Sequence, residues 1–269
     1  MKENLYSSYS PSFTCDPGEP FQALLNRIYR YIDEPTRHLH RLRINLFVEL
    51  LRDLQQSGAI TRKGKALDIG SNGGIYSKLI SDAGFSEVQG VDIDAPLVEI
   101  ARKEFGSEAE GKRIRFEVCN AEELDDSDRV DFILCTEVIE HTRNPKKVID
   151  HIHQKLAPGG VAVITLPNAT SYPYFLTKWS HRLRGEKIEG ELFDHLQYPS
   201  HRSRALFAFP DLELIRTTGT NLYYWYFLHK APGFSLLNRL NYRLAKIPAL
   251  SRYAQFYFLV LRKKSHQEK

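Results

Sequence analysis

The 269-residue chain is poor in cysteine and has no long apolar run, and each shortage excludes something. Its three cysteines, Cys15, Cys119 and Cys135, are odd in number, widely spaced and form no CxxC pair. That argues against a disulfide framework and against a zinc knuckle, and it favours a reducing, intracellular setting. No apolar stretch approaches the roughly 18–20 residues of a membrane-spanning helix. The first twenty residues are rich in Ser, Pro and Tyr and lack the apolar core of a signal peptide. A cytoplasmic protein is the expectation. One whole region also lacks acid. Between Glu213 and Glu268 there is no Asp or Glu, while Arg216, Lys230, Arg239, Arg243, Lys246, Arg252, Arg262, Lys263 and Lys264 fall there. The net charge is only +4 and no Arg/Lys-rich arm is present, so a nucleic-acid partner is not expected.

What remains is globular: 42% hydrophobic and 12% aromatic. Apolar residues recur at helical spacing from Phe21 to Gly58, with a break at Pro35, which predicts two helices in an N-terminal segment 1–58. From 59 to 168, short buried runs alternate with helical patterns. "KALDI", "EVQGVDID", "IRFEVCN", "VDFILCTE" and "VAVITLPN" read as strands; 74–83, 96–105 and 145–156 read as helices. That alternation predicts a parallel sheet covered on both faces. The rhythm breaks over 169–210, an aromatic and His-containing insertion. Residues 211–269 then supply two further strands, "LELIRTTGTNLYYWYFL" and "YAQFYFLVLRK", around a basic amphipathic segment, 234–252.

The stretch "KALDIGSNGGIYSKLI" carries the chemistry. Glycines between a strand and a helix allow a sharp turn and the close approach of a ligand. The nearest phosphate-loop candidate, "GAITRKGKA", has one residue too many between its glycines and Ala where Ser or Thr is needed. Gly70, Gly73 and Gly74 do not fall in the GxGxxG register of a dinucleotide site. The run instead resembles motif I of the class I S-adenosylmethionine (SAM)-dependent methyltransferases, acid-x-Gly-x-Gly-x-Gly. Asp68, Gly70 and Gly74 match it, and Asn72 replaces the middle glycine. Asn tolerates positive φ better than most residues, so the turn can survive.

The resemblance extends from about Gly64 to Asn168. It implies a Rossmann-like seven-stranded sheet in the order 3-2-1-4-5-7-6, with strand seven antiparallel. It makes Asp92 the acid that accepts from both ribose hydroxyls, places Ile93 against adenine, and gives Asn120 in "CNAEEL" to the adenine edge. Ser71, Ala121 and Thr136 are the remaining cofactor-binding positions it implies. The resemblance is to the small-molecule branch, of the ubiquinone-pathway O-methyltransferase type.

Methyl transfer to a hydroxyl needs a group to take the acceptor proton. His141, after the fourth strand, is one candidate; His195, Tyr198 and His201, late in the insertion, are others. Glu137, Glu140 and His141 in "EVIEH" share a face if they form one helical turn. The same letters resemble an element of the ubiquinone-pathway and small-RNA 2′-O-methyltransferases that holds a divalent cation. The metal-free reading is favoured and the cation is the alternative. His151 and His153 are assigned to solvent. Arg41 and Arg43 could reach the methionine carboxylate, but a solvated helix face is the preferred reading.

The acceptor is expected to be a small molecule or a lipid- or glycan-linked hydroxyl. Tyr172, Tyr174, Phe175 and Trp179 would form an apolar lid. Segment 234–252, basic and acid-free, has the composition of a helix on an anionic membrane, although a helix covering the sheet is the preferred reading. A nucleic-acid methyltransferase and a non-catalytic SAM-fold protein are the alternatives.

Overall fold

The computed structural model describes residues 34–109, 112–125, 128–185, 204–222 and 234–265. The first predicted N-terminal helix, the candidates His195, Tyr198 and His201, and the aromatic run 223–226 lie outside the described residues. Helix α1 (Glu34–Gln56) leads into β1 (Lys65–Ile69), α2 (Ile75–Asp82), β2 (Glu87–Asp92) and α3 (Ala95–Phe105). Then come β3 (Ser107–Ala109), β4 (Lys112–Val118), β5 (Val130–Thr136), α4 (Pro145–Lys155) and β6 (Leu156–Pro167). Helix α5 (Tyr172–Arg184), β7 (Leu212–Thr220), α6 (Phe234–Ala245), α7 (Pro248–Ser251) and β8 (Phe256–Lys263) follow.

One sheet holds all the strands, in the order β3-β4-β2-β1-β5-β6-β8-β7. From β4 to β6 every pairing is parallel; β8 runs antiparallel between β6 and β7. Without β3 this is the order 3-2-1-4-5-7-6 with an antiparallel last strand. The addition is β3, three residues that form a hairpin with β4 at the edge. A run that short has no periodicity to read.

Alternation along the strands divides the core. Ala66, Phe132, Leu134, Val161, Val163, Phe258 and Val260 face one layer, shared with α1, α2 and α3. Leu67, Ile69, Ile133, Cys135, Ala162, Ile164, Tyr257 and Leu259 face the other, shared with α4. Central strands buried on both faces explain the near-continuous apolar runs.

Local signals set the helix ends. Asp94 and Asn144 accept from backbone N–H groups three residues on and cap α3 and α4, each with Pro in the first turn. Pro35 likewise sits in the first turn of α1, where its missing N–H costs nothing. The "APGG" after α4 belongs to β6, whose register against β5 shifts between Val130 and Phe132.

Helix α1 corrects the sequence reading. Every residue from Arg41 to Val48 is buried, including Arg41 at 6% and Arg43 at 8% exposure. The expected solvated face does not exist. The C-terminal elements close over it: Lys246 pairs with Glu49, Arg216 with Asp53 at 2.9 Å, and the Arg43 guanidinium lies 4.7 Å over the ring of Phe256.

Candidate functional site

The order of the sheet reverses at β1, which lies between β2 and β5, so the loops beyond their carboxyl ends diverge and leave a crevice. The cleft there has a volume of about 690 Å³.

The glycine loop forms its floor. Gly70 and Ser71 both donate to the Val91 carbonyl, at 2.8 and 2.9 Å, which locks the loop to the end of β2. Gly70 has φ +75°, and a Cβ there would fall 2.2 Å from Val138. Gly74 has φ +83° and packs against Phe116 and Phe105. Neither position accepts a side chain without displacing its neighbours. Asn72 adopts φ +46°, and its side-chain oxygen accepts from the Gly73 N–H at 2.7 Å. The left-handed turn is therefore made without the middle glycine.

Asp92 closes the floor on the other side. One carboxylate oxygen accepts from the Asn72 N–H at 2.7 Å and the other from the Asp94 N–H at 2.9 Å. Each oxygen can accept a second bond, and Asp92 lines the cleft. Ile93, beside it, is a large apolar side chain left 71% exposed at the cleft wall. Asn120 and Ala121 line the same end. The Asn120 side-chain oxygen accepts from Glu122 N–H and caps a 3₁₀ turn, so this amide is first a loop-former.

Asp68, Ser71 and Gly74, also expected to bind cofactor, do not line the cleft; they lie beneath it. Asp68 is wholly buried and accepts from the Ser77 hydroxyl at 2.6 Å, tying β1 to α2. Burial, with a smaller contribution from Asp92, pushes its pKa up to about 7, although the Ser77 hydrogen bond opposes this.

Thr136, Glu137 and His141 line the far wall. Glu137 has φ +52°, an uncommon conformation for a non-glycine residue. Its N–H donates to the Thr165 hydroxyl, which donates back to the Glu137 carboxylate at 2.8 Å. Burial raises its pKa, partly offset by Arg43. Residues 139–141 form a 3₁₀ turn, not an α-helical one, so the shared face expected for Glu137, Glu140 and His141 is not made. The side chain of Glu140 is 1% exposed, whereas that of His141 is 50% exposed at the cleft; they stand 3.8 Å apart. Burial, and next the Glu137 charge, hold the Glu140 carboxyl far above the usual range. Among the described residues no three His, Cys, Asp or Glu side chains converge as a metal ion requires.

Among the cleft residues not expected as such, three come from α1 and α2. Arg43 and His40 reach in from α1, with Arg43 Nη2 2.6 Å from His40 Nδ1. Burial and then Arg43 hold the His40 pKa well below its ordinary value, so this ring is neutral. Tyr76 reaches in from α2. The "RHLHRLR" pattern contained Arg43, but burial by later elements leaves no local trace.

The remaining assignments move elsewhere. His153 stacks on Phe209 at 4.0 Å and bonds Asp211 at 2.7 Å, and His151 reaches the Glu122 carbonyl. Both fasten α4 to its neighbours instead of facing solvent. Tyr172, Tyr174, Phe175 and Trp179 stand on α5 and do not line this cleft.

The chain's relatives fit this architecture. A methyltransferase-domain family model matches residues 38–214. The mitochondrial ubiquinone biosynthesis O-methyltransferase of Rattus norvegicus is 34% identical over 183 residues, 62% of this chain and 51% of that protein. The ubiquinone biosynthesis O-methyltransferase of Paramagnetospirillum magneticum is 33% identical over 110 residues, 41% of this chain and 43% of that protein. The chain thus spans about half the length of these curated relatives. Among solved structures, magnesium protoporphyrin IX methyltransferase from Synechocystis PCC 6803, with bound SAH, superposes with a TM-score of 0.61 at 15% identity, covering 87% of this chain and 89% of that one. An S-adenosylmethionine-dependent methyltransferase from Mesorhizobium loti gives 0.54 at 15% identity, covering 80% and 97%. These two establish the fold alone. With the family model matched over more than half its length, the chain belongs to the methyltransferase-domain family and, with it, to the class I SAM-dependent methyltransferases.

Proposed function

We propose that this protein transfers a methyl group from SAM to a hydroxyl oxygen of a small-molecule or lipid- or glycan-linked acceptor. The observation that carries this is the polarity of the cleft. Asp92, at the end of β2 and bonded to the glycine loop, offers acceptors for ribose hydroxyls, and Arg43, reaching in from α1, offers a cation for a carboxylate. SAM supplies an activated methyl carbon, whose bond to sulfur breaks as the acceptor oxygen bonds to it. The protein's part is to align the reactants and exclude water. His141, half exposed at the cleft wall, is the described residue suited to take the acceptor proton. Oxygen as the methylated atom is supported by the ubiquinone biosynthesis O-methyltransferases to which the chain is similar.

A lipid-linked acceptor is supported by the surface around α5 and α6. Phe175, Trp179 and Leu183 on α5, and Leu236, Leu237 and Leu240 on α6, are exposed. Both helices lack acids. No helix among the described residues is long and apolar enough to cross a membrane. A peripheral contact with an anionic bilayer through 234–252 fits that composition. The test is to incubate the protein and methyl-labelled SAM with lipid and aqueous cell extracts and identify labelled products by mass spectrometry. A labelled phenol, quinol or glycan ether supports the reading. Label confined to nucleic acid, or no transfer despite SAM binding, overturns it.

A further inference from the structure

Tyr76 is the second residue of α2, just beyond the glycine loop. Its ring meets Phe47 of α1 edge-on, with centroids 5.2 Å apart and planes at 83°. Phe47 follows Arg43 by one helical turn, so the phenol and the guanidinium approach the cleft from the same side. The residue is 7% exposed, and its hydroxyl has no hydrogen-bond partner among the described residues. Arg43, Asp68 and Glu137 are the charged groups acting on it, and burial pushes its pKa up to about 12. It therefore remains a proton donor throughout the physiological range.

A buried hydroxyl without a partner is a cost that phenylalanine would avoid while filling the same space. Its presence at a cleft wall points to a ligand that brings the missing acceptor. On the α1 and α2 side of the cleft the Tyr76 hydroxyl and the Arg43 guanidinium are donors, while the end of β2 contributes the Asp92 carboxylate. A ligand with hydroxyls at one end and an anion at the other meets both.

We propose that the Tyr76 hydroxyl donates a hydrogen bond to the α-carboxylate of the cofactor's amino-acid half, alongside Arg43, and so selects ligands that carry that carboxylate. The inference rests on the assignment of the cleft to SAM and adds a specificity residue to it. Arg43 supplies charge, and Tyr76 supplies a directed donor that fixes the carboxylate's position.

The experiment compares Y76F with the wild-type protein by titration calorimetry. The two probes are S-adenosylhomocysteine and 5′-methylthioadenosine, which keeps the adenosine and thioether but lacks the amino acid. Y76F should weaken S-adenosylhomocysteine roughly tenfold and leave methylthioadenosine within about twofold. The ligand-free variant should melt at the same temperature as wild type or higher, because the unpartnered hydroxyl is gone. Unchanged affinity for S-adenosylhomocysteine overturns the proposal. So does equal weakening of both probes, or a lower melting temperature with both affinities reduced, since each makes the hydroxyl structural. Binding of neither probe to wild type would instead overturn the assignment of the cleft to SAM.

Discussion

The glycine-loop end of the sheet and the helical region beyond β6 are built by different rules. Around Gly70, Gly74 and Asp92 nearly every polar backbone group is claimed by a specific partner, and side-chain size is fixed to within one methyl group. On α5 and α6 large apolar side chains face outwards and the charges are all of one sign. The first region is specified by its own fold. The second presents apolar side chains that the other described residues leave uncovered.

Two glycines with positive φ make that contrast measurable, and the largest effect is expected here. Gly70→Ala should lose ligand binding and several degrees of thermal stability, because φ is +75° and the new Cβ would lie 2.2 Å from Val138. Gly185→Ala, at the end of α5, has φ +66° but nothing within 4 Å, so it should cost only the backbone strain, about 1 kcal/mol. Equal losses in thermal melts of the two variants would erase the difference drawn between the regions.

Next in size is His141, which lines the cleft beside the glycine loop. His141→Ala should lower turnover about 10²–10⁴-fold with SAM affinity nearly intact, as expected for a group acting on the acceptor proton. A chelator should leave wild-type activity unchanged. Chelator loss restored by Mg²⁺, with Glu140→Gln as damaging as His141→Ala, would reinstate the cation reading despite the burial of Glu140.

Asp68 gives a smaller effect with a definite sign. Its folded pKa, about 7, lies above the ordinary aspartate value of 3.8 expected in the unfolded chain, so the folded state binds the proton more tightly. Its contribution is fully present below about pH 4 and is lost as pH rises to 7, a change of roughly 4 kcal/mol. Asp68→Asn should flatten the stability profile over that window in urea melts of the ligand-free protein. At pH 8 it should be no less stable than wild type. An unchanged slope would show that Asp68 does not titrate there.

On the outward-facing region the expected change in stability is the smallest. Leu237→Ser with Leu240→Ser should alter stability by no more than about 0.5 kcal/mol each, since both side chains are about half exposed among the described residues. The pair should nevertheless reduce sedimentation with phosphatidylglycerol vesicles. Retained sedimentation, or a cooperative loss of folding, would show that α6 uses those leucines internally.

The same contrast explains what the sequence disclosed. The parallel strands and the glycine turn follow from local periodicity and spacing, which the chain writes within each βα unit, whereas the full strand order and the positions of Asp92, Ile93 and Asn120 are what the family resemblance implies. Asn72 could be read too, because its tolerance of positive φ is a property of the residue itself. Arg43 could not be read as buried, because α1 is enclosed by β8 and the α6–α7 region some two hundred positions later. Glu137, Glu140 and His141 misled for another reason. Their i, i+3, i+4 spacing implies one helical face, whereas Glu137 enters the left-handed region and a 3₁₀ turn follows. Tyr76 lies in the glycine-loop motif, yet nothing in the letters says that its hydroxyl lacks a partner among the described residues.

The central claim is that the cleft between the glycine loop and Asp92 holds SAM, and calorimetry with S-adenosylhomocysteine tests it most directly. Wild type should bind at one site, and Asp92→Ala, which removes both ribose acceptors, should bind at least tenfold more weakly. No binding to wild type, or equal affinity in the variant, would contradict the account.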